Sequence, residues 1–363
     1  MPKRKQRLNV AMVGSGFIAR AHSNAFHQVT HFFDVPYEME TKVICGRTPA
    51  KLDAFAAQWG WKETATDWRS VVTRADVDIV DIATPNALHA PIALAAANAG
   101  KIILCEKPLA MSAAEARQMS GAIGSHPSLV WFNYRRIPAV AFAKQLIDEG
   151  RIGQVFHYRS HYFNQSGVDP AKGATWRYQP DQAGSGALGD LLSHSLDMAE
   201  YLNGKITELN AATHTFIPGR EVDDAVMLMA RFENGSVSTF EASRFGVGHR
   251  NAHGFAIYGS KGSLIFDFED MNRLRFFDTG DPAATQAWRN LLVTGPDHPY
   301  SSKFWKPGHP IGYEHTFIAT LGDFLQDLAT GREFHPNFAD ALRIQELMQA
   351  VETSAASGEW LRL

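Results

Sequence analysis

The stretch Leu8-Asn9-Val10-Ala11-Met12-Val13-Gly14-Ser15-Gly16-Phe17-Ile18-Ala19 decides the fold. Residues 8–13 are a short, largely apolar run that predicts a strand, and residues 17–29 read as the helix after it. The turn between them fits G-x-G-x-x-A. Gly14 permits the tight turn, Gly16 lets a pyrophosphate approach the backbone, and Ala19 is small enough for close helix–sheet packing. The helix start at Gly16, Phe17 and Ile18 then offers unbonded N–H groups and the positive end of a dipole to phosphates.

Outward from that turn the chain alternates. Strands are predicted at 42–45, 78–83, 101–105 and 129–133, with helices at 49–59, 91–99 and 112–123 between them. Gly60 and Gly100 stop two of the helices, and Ser112 with Glu115 forms a capping box for the third. Such spacing implies right-handed crossovers and a doubly wound parallel sheet, an α/β Rossmann domain over 1–132. Beyond it the rhythm changes. A helix at 139–149 precedes alternating runs at 155–163, 226–232, 236–245, 255–258, 263–268 and 274–277. Asn234-Gly235 and Ser260-Lys261-Gly262 are hairpin signals between them. Residues 133–363 are therefore expected to form an α+β domain with a large, mostly antiparallel sheet. Helices at 187–202 and 315–328 are expected on one face of that sheet, and the last helix, 337–357, back against the first domain.

Composition narrows the partners. With 363 residues, two domains of about 150 each are expected. The chain has 45% hydrophobic and 20% charged residues, as a globular protein does, and a formal charge of −3. No basic surplus or stripe suggests nucleic acid; the run Pro2-Lys3-Arg4-Lys5-Gln6-Arg7 reads as a solvated arm. No apolar run approaches the ~20 residues that span a bilayer, and the start lacks a signal-peptide pattern. Two cysteines, Cys45 and Cys105, cannot build a disulfide framework, so the cytoplasm is the expected compartment.

Several side chains carry chemistry. The second strand ends in Cys45-Gly46-Arg47, where an acidic residue would hold the 2′-hydroxyl of NAD. Arg47 could instead meet a 2′-phosphate, stack on adenine or be a solvated loop residue, so NAD and NADP both stand. Thr84-Pro85-Asn86-Ala87-Leu88-His89 and Cys105-Glu106-Lys107-Pro108 follow two strands of the sheet, the ends at which such sheets bind ligands. A Glu106–Lys107 pair fits a surface salt bridge, yet a lysine held there can also stabilise a developing alkoxide. In Gly186-Ala187-Leu188-Gly189-Asp190-Leu191-Leu192-Ser193-His194-Ser195-Leu196-Asp197, Asp190 and His194 share a helix face. The histidine can take a hydroxyl proton, although a polar helix histidine is as readily structural. The fifteen histidines contain no HExxH or CxxC grouping that would argue for a metal.

These motifs resemble the Gfo/Idh/MocA family of sugar and cyclitol oxidoreductases over essentially the whole chain. The resemblance rests on GxGxxA, on TPNxxH at 84–89, EKP at 106–108, NYR at 133–135, WR at 176–177 and GALGDxxxHxxD at 186–197. Stretches such as NYRR-x-PA, Val222-Asp223-Asp224 and TGP-x-HPY at 294–300 are similar to those of its sugar- and inositol-dehydrogenase members. The resemblance implies that Lys107, Asp190 and His194 form the catalytic group, with His194 as base. It implies that Thr84, Pro85, Asn86, His89, Glu106, Lys107, Asn133, Arg136, Trp176 and Arg177 lie near the cofactor, NAD or NADP. Tyr134, Arg135, Tyr162, Trp176 and His315 join the catalytic residues as contacts for a hydroxylated ring, offering aromatic faces and hydrogen-bonding groups. The expected reaction is oxidation of a secondary hydroxyl, at ring C3, of a pyranose, anhydrosugar or cyclitol. Transient oxidation followed by glycoside cleavage, or a non-catalytic sugar sensor, are the alternatives. A homodimer or homotetramer through the second-domain sheet is expected.

Overall fold

The computed structural model describes residues 5–169 and 175–363; residues 2–4 of the basic arm lie outside them. The chain divides into two compact units, 1–133 with 312–343, and 134–311 with 344–363.

In the first unit, β1 (Gln6–Val13), β2 (Tyr37–Cys45), β3 (Glu63–Ala65), β4 (Ile79–Ile82), β5 (Ile102–Cys105) and β6 (Ser128–Val130) form one parallel sheet. Its order is β3-β2-β1-β4-β5-β6, so the winding reverses between β1 and β4. That reversal opens a crevice at the carboxyl ends of these two strands, next to Gly14 and Thr84. Val10, Ala11, Met12, Ile79, Val80 and Ile82 are wholly buried, as strands covered on both faces must be. β3 adds a sixth strand to the five expected; its Glu-Thr-Ala is too short and polar to show an apolar run. The fifth expected strand is also shorter, ending at Val130 before a 3₁₀ turn over Asn133–Arg136.

The helix Tyr313–Thr330 differs from expectation in its partner. Residues 312–343 group with the first unit rather than with the second sheet. A methyl group at Gly322 would lie 2.5 Å from the Phe33 ring, so this helix packs tightly at the end of helix Phe17–Phe32. Its buried Phe317, Leu321 and Phe324 announce an apolar face. Periodicity gives the face, not the surface it meets.

The second unit contains β7 (Val155–Phe163), β8 (Ile206–His214), β9 (Ala225–Phe232), β10 (Val237–Ser243), β11 (Ala252–Gly259), β12 (Gly262–Asp267), β13 (Arg273–Asp278), β14 (Arg289–Leu292) and β15 (Leu361–Arg362). Their order is β14-β13-β12-β11-β7-β10-β9-β8-β15, antiparallel throughout except between β7 and β10. Asn234-Gly235 makes the expected turn from β9 to β10, with Gly235 at φ 84°. Burial alternates along β9 and β10, so the sheet has one covered and one open face. Helices Pro138–Asp148 and Ser193–Asn203 lie on the covered face. Among the described residues no helix is long and apolar enough to cross a membrane.

Candidate active site

The glycine turn is built for close approach. Gly14 has φ 121°, and a Cβ there would sit 2.1 Å from the Ala83 carbonyl oxygen. Only glycine fits between the ends of β1 and β4. Gly16, the N-cap of helix Phe17–Phe32, has open space where a Cβ would stand, and no side chain caps the helix. Thr84, next to Ala83, has a buried hydroxyl with no protein partner. An open glycine cradle, an uncapped helix start and an unmet hydroxyl fit a dinucleotide pyrophosphate. Phe17 is 70% exposed beside this turn. The Gly14 amide donates to the Cys45 carbonyl at 2.8 Å, which ties the turn to the end of β2. Gly46 there lies against Ser15 and Leu52, and Arg47 is exposed.

Behind the turns sits a buried ionic cluster that sequence reasoning missed. His22, on the glycine-turn helix, points Nδ1 at Asp81 of β4 (2.8 Å) and Nε2 at Glu106 (3.1 Å). Trp131 donates to the second oxygen of Asp81 at 3.0 Å and stacks on the imidazole at 4.2 Å. Burial alone would push the His22 pKa down, but Asp81 and then Glu106 outweigh it and lift it to about 9. The imidazolium is thereby the counter-ion that an aspartate inside a fully buried strand needs. Glu106 also accepts the Lys107 backbone N–H at 3.1 Å. The signal was available: Asp81 interrupts an otherwise apolar strand, Ile79-Val80-Asp81-Ile82.

His89 is wholly buried, with its ring nitrogens 3.0 and 3.1 Å from the carbonyl oxygens of Pro108 and Thr84. Burial holds its pKa below the ordinary histidine value, against the pull of those carbonyls, and a neutral ring donates to one of the two. Asn86 is buried in the 3₁₀ turn Asn86–Leu88, and Pro85 caps that turn. Asn133 donates to Thr316 at 2.7 Å. His315 accepts the Gly312 N–H at 3.1 Å, capping its own helix in the first unit.

In the second unit, Asp190 lies in a π-helical turn, Leu188–Leu192, that runs into the helix Ser193–Asn203 bearing His194. π-turns are uncommon and concentrate at functional sites. Asp223 anchors this one, accepting the N–H groups of Gly186 (2.6 Å) and Leu188 (2.7 Å) on its two carboxylate oxygens. Burial pushes the Asp223 pKa up against the pull of those bonds. Arg244, 1% exposed, donates to Asp190 at 3.2 Å and to the Arg177 carbonyl at 3.2 Å. Asp223 was visible in the sequence only as part of a run, and Arg244 gave no signal.

His194 is 5% exposed and stacks on Tyr134 at 4.4 Å. The Tyr134 and Tyr162 hydroxyls are 3.1 Å apart, and Tyr162 donates to Asn251 at 2.8 Å. His253 stacks on Tyr162 at 4.6 Å. The exposed Arg177 guanidinium lies over Trp176 at 4.7 Å and 4.0 Å from Asp190. Arg135, expected to touch substrate, holds Asp197 through Nε at 2.9 Å and Nη2 at 2.5 Å. Arg136 is half-buried in the adjoining 3₁₀ turn. Tyr134, Tyr162, Trp176, Asp190 and His194 are thus grouped in one unit, while Lys107, Glu106 and the glycine turn belong to the other.

Comparison with known proteins identifies the family. Residues 8–134 match the oxidoreductase family with NAD-binding Rossmann fold, and 140–265 the GFO/IDH/MocA C-terminal domain. The chain is 39% identical to levoglucosan dehydrogenase of Pseudarthrobacter phenanthrenivorans, covering 98% of each. A solved levoglucosan dehydrogenase in complex with NADH and levoglucosan superimposes with a TM-score of 0.96 at 41% identity, covering 99% of each chain. An oxidoreductase domain protein from Kribbella flavida gives 0.95 at 42%, covering 98% of this chain and 99% of that one.

Proposed function

Because the chain belongs to the Gfo/Idh/MocA family of oxidoreductases, we propose that it is an NAD-dependent dehydrogenase of a levoglucosan-like anhydrosugar, oxidising a secondary hydroxyl at ring C3 to a ketone. One observation carries the reading: the Asp223-anchored π-turn leads from Asp190 to a nearly buried histidine stacked on Tyr134. A base beside aromatic faces and tyrosine hydroxyls suits a neutral hydroxylated ring. The relatives with bound NADH and levoglucosan support the cofactor and substrate class; the C3 position rests on the family resemblance.

When bound, the nicotinamide supplies the hydride acceptor. His194 takes the hydroxyl proton, and Tyr134 holds its ring in plane. Lys107 stabilises the negative charge that develops on the substrate oxygen. Asp190, held by Arg244, orients the base or an adjacent hydroxyl. Gly14, Gly16 and Thr84 receive the dinucleotide, and Arg47, exposed just beyond Gly46, is the proposed contact for its adenosine end.

The test is a matrix of NAD and NADP against levoglucosan, pyranoses and inositols, followed at the nicotinamide absorbance. Levoglucosan with NAD is expected to give the highest kcat/KM, with one NADH per ketone formed. Lys107→Ala and His194→Ala should each lower kcat by at least ~10²-fold; near-normal turnover in both refutes the assignment. Phe156, Met227, Met229 and Val237 are about half exposed on the open face of the nine-stranded sheet. These apolar side chains, set among Arg159, Arg231 and Glu241 on the same face, suit a second copy of the chain. Sedimentation should report a dimer or tetramer that Met229→Glu weakens, and a monomer in the unaltered protein removes this part of the reading.

A further inference from the structure

We propose that His22 is a positioning residue of the dehydrogenase reaction: bridging Asp81 and Glu106, it fixes the turn that presents Lys107. The inference rests on the reading of Lys107 as a catalytic residue.

Each ring nitrogen of His22 has its own carboxylate partner. Nδ1 meets Asp81 at 2.8 Å, inside β4, a strand with 0% exposure at Asp81 itself. Nε2 meets Glu106 at 3.1 Å, one residue beyond the end of β5 and one before Lys107. The first contact anchors the ring to the sheet. The second reaches the turn. Glu106 completes the path, because its other carboxylate oxygen accepts the Lys107 amide at 3.1 Å. Two further contacts leave the ring little freedom: Trp131 stacks on it at 4.2 Å and Phe317 closes on it at 5.4 Å. His89 supports the same turn from the other side through the Pro108 carbonyl.

A purely structural histidine would need only its bond to Asp81, which neutralises the buried strand carboxylate. The bond to Glu106 has a different consequence. It holds a carboxylate whose remaining acceptor serves the lysine-bearing backbone, and a misplacement of about 1 Å at a reacting group can cost ~10²-fold in rate.

The two nitrogens can be tested separately. An asparagine amide nitrogen replaces Nδ1 and keeps a donor toward Asp81, whereas a glutamine amide nitrogen replaces Nε2 and keeps one toward Glu106. His22→Asn and His22→Gln are compared for kcat, sugar KM, NADH Kd by fluorescence and melting temperature. His22→Gln is expected to retain at least about a third of kcat, and His22→Asn to lose about 30-fold or more. NADH Kd and sugar KM should stay within about threefold in both, with both melting temperatures lowered. Equal kcat values in the two variants, or a higher value in His22→Asn, overturn the proposal. Glu106→Asp provides a second measurement if either variant fails to fold. One methylene shorter, it withdraws the carboxylate from His22 and from the Lys107 amide, and should lower kcat at least tenfold; wild-type kcat overturns the proposal. Lys107→Met separates the two levels. Turnover near wild type in that variant refutes the reading of Lys107, while an inactive Lys107→Met with indistinguishable His22 variants refutes the role of His22 alone.

Discussion

Replacing Gly186 by alanine should disable the sugar half of the site through a single methyl group. A Cβ at Gly186 would stand 1.7 Å from the carbonyl oxygen of Asp223, 2.8 Å from its carbonyl carbon and 3.0 Å from its nitrogen. All three atoms are backbone and cannot swing aside as a side-chain tip would. Restoring ordinary contact requires roughly 1.5 Å of separation between the two segments. Three hydrogen bonds span the same gap: Gly186 N–H to the Asp223 carboxylate at 2.6 Å, Leu188 N–H to its other oxygen at 2.7 Å, and Ala187 N–H to its carbonyl at 3.0 Å. None survives such a displacement.

Overpacking costs about 1–3 kcal/mol, and each lost bond to a buried charged carboxylate about 1.5–3 kcal/mol. With partial relaxation the expected destabilisation is about 4 kcal/mol, or on the order of 10 °C in melting temperature for a unit of this size. Asp190 moves with the turn, since its N–H bonds to the Gly186 carbonyl at 3.1 Å. A shift of that order should lower kcat by ~10²-fold even at temperatures where the variant is folded. Thermal melts by circular dichroism, with initial rates at saturating sugar and NAD well below the transition, measure both. A melting temperature within about 2 °C of wild type, or kcat within about threefold, refutes the reasoning.

Two further outcomes follow from the buried charges. The His22 pKa stands at about 9 in the folded protein against 6.5 for an ordinary histidine, so its stabilisation is complete below pH 6.5 and is lost as pH rises through 9. The magnitude is about 3 kcal/mol; melts at pH 7 and pH 10 should show a larger alkaline loss in wild type than in His22→Gln, and equal losses would remove the charge from the account. Arg244→Met deletes the buried guanidinium between Asp190 and the Arg177 carbonyl. It should lower kcat/KM at least tenfold and stability by about 2 kcal/mol, with partial recovery in Arg244→Lys, and unchanged steady-state kinetics would detach Arg244 from the site.

Much of this molecule was legible one segment at a time. The parallel sheet and its cofactor turn could be read because strand, glycine and helix periodicity are local properties of 8–19 and recur along the first half. The hairpin at Asn234-Gly235 was legible for the same reason, a backbone requirement written in two residues. β3 and β8 escaped because Glu-Thr-Ala and Ile-Thr-Glu-Leu-Asn-Ala-Ala-Thr-His carry weak patterns and owe their strand form to neighbours. The partner of Arg135 was not legible either: its type announced polar contacts, and Asp197, which it holds, lies 62 positions away.

The sequence by itself determined the two architectures, the nucleotide-binding turn and the order of the motifs around Lys107, Asp190 and His194, since these depend on spacing and residue type along the chain. Tertiary structure alone decided how each of those groups is held. Asp223 reaches Gly186 across 37 positions, Arg244 reaches Asp190 across 54, and His22 reaches Glu106 across 84. It also sent the helix Tyr313–Thr330 to the first unit. A pattern states that a face must be buried or a charge must be paired. Which of many chemically equivalent partners does so is settled only when the folded chain brings one of them within about 3 Å.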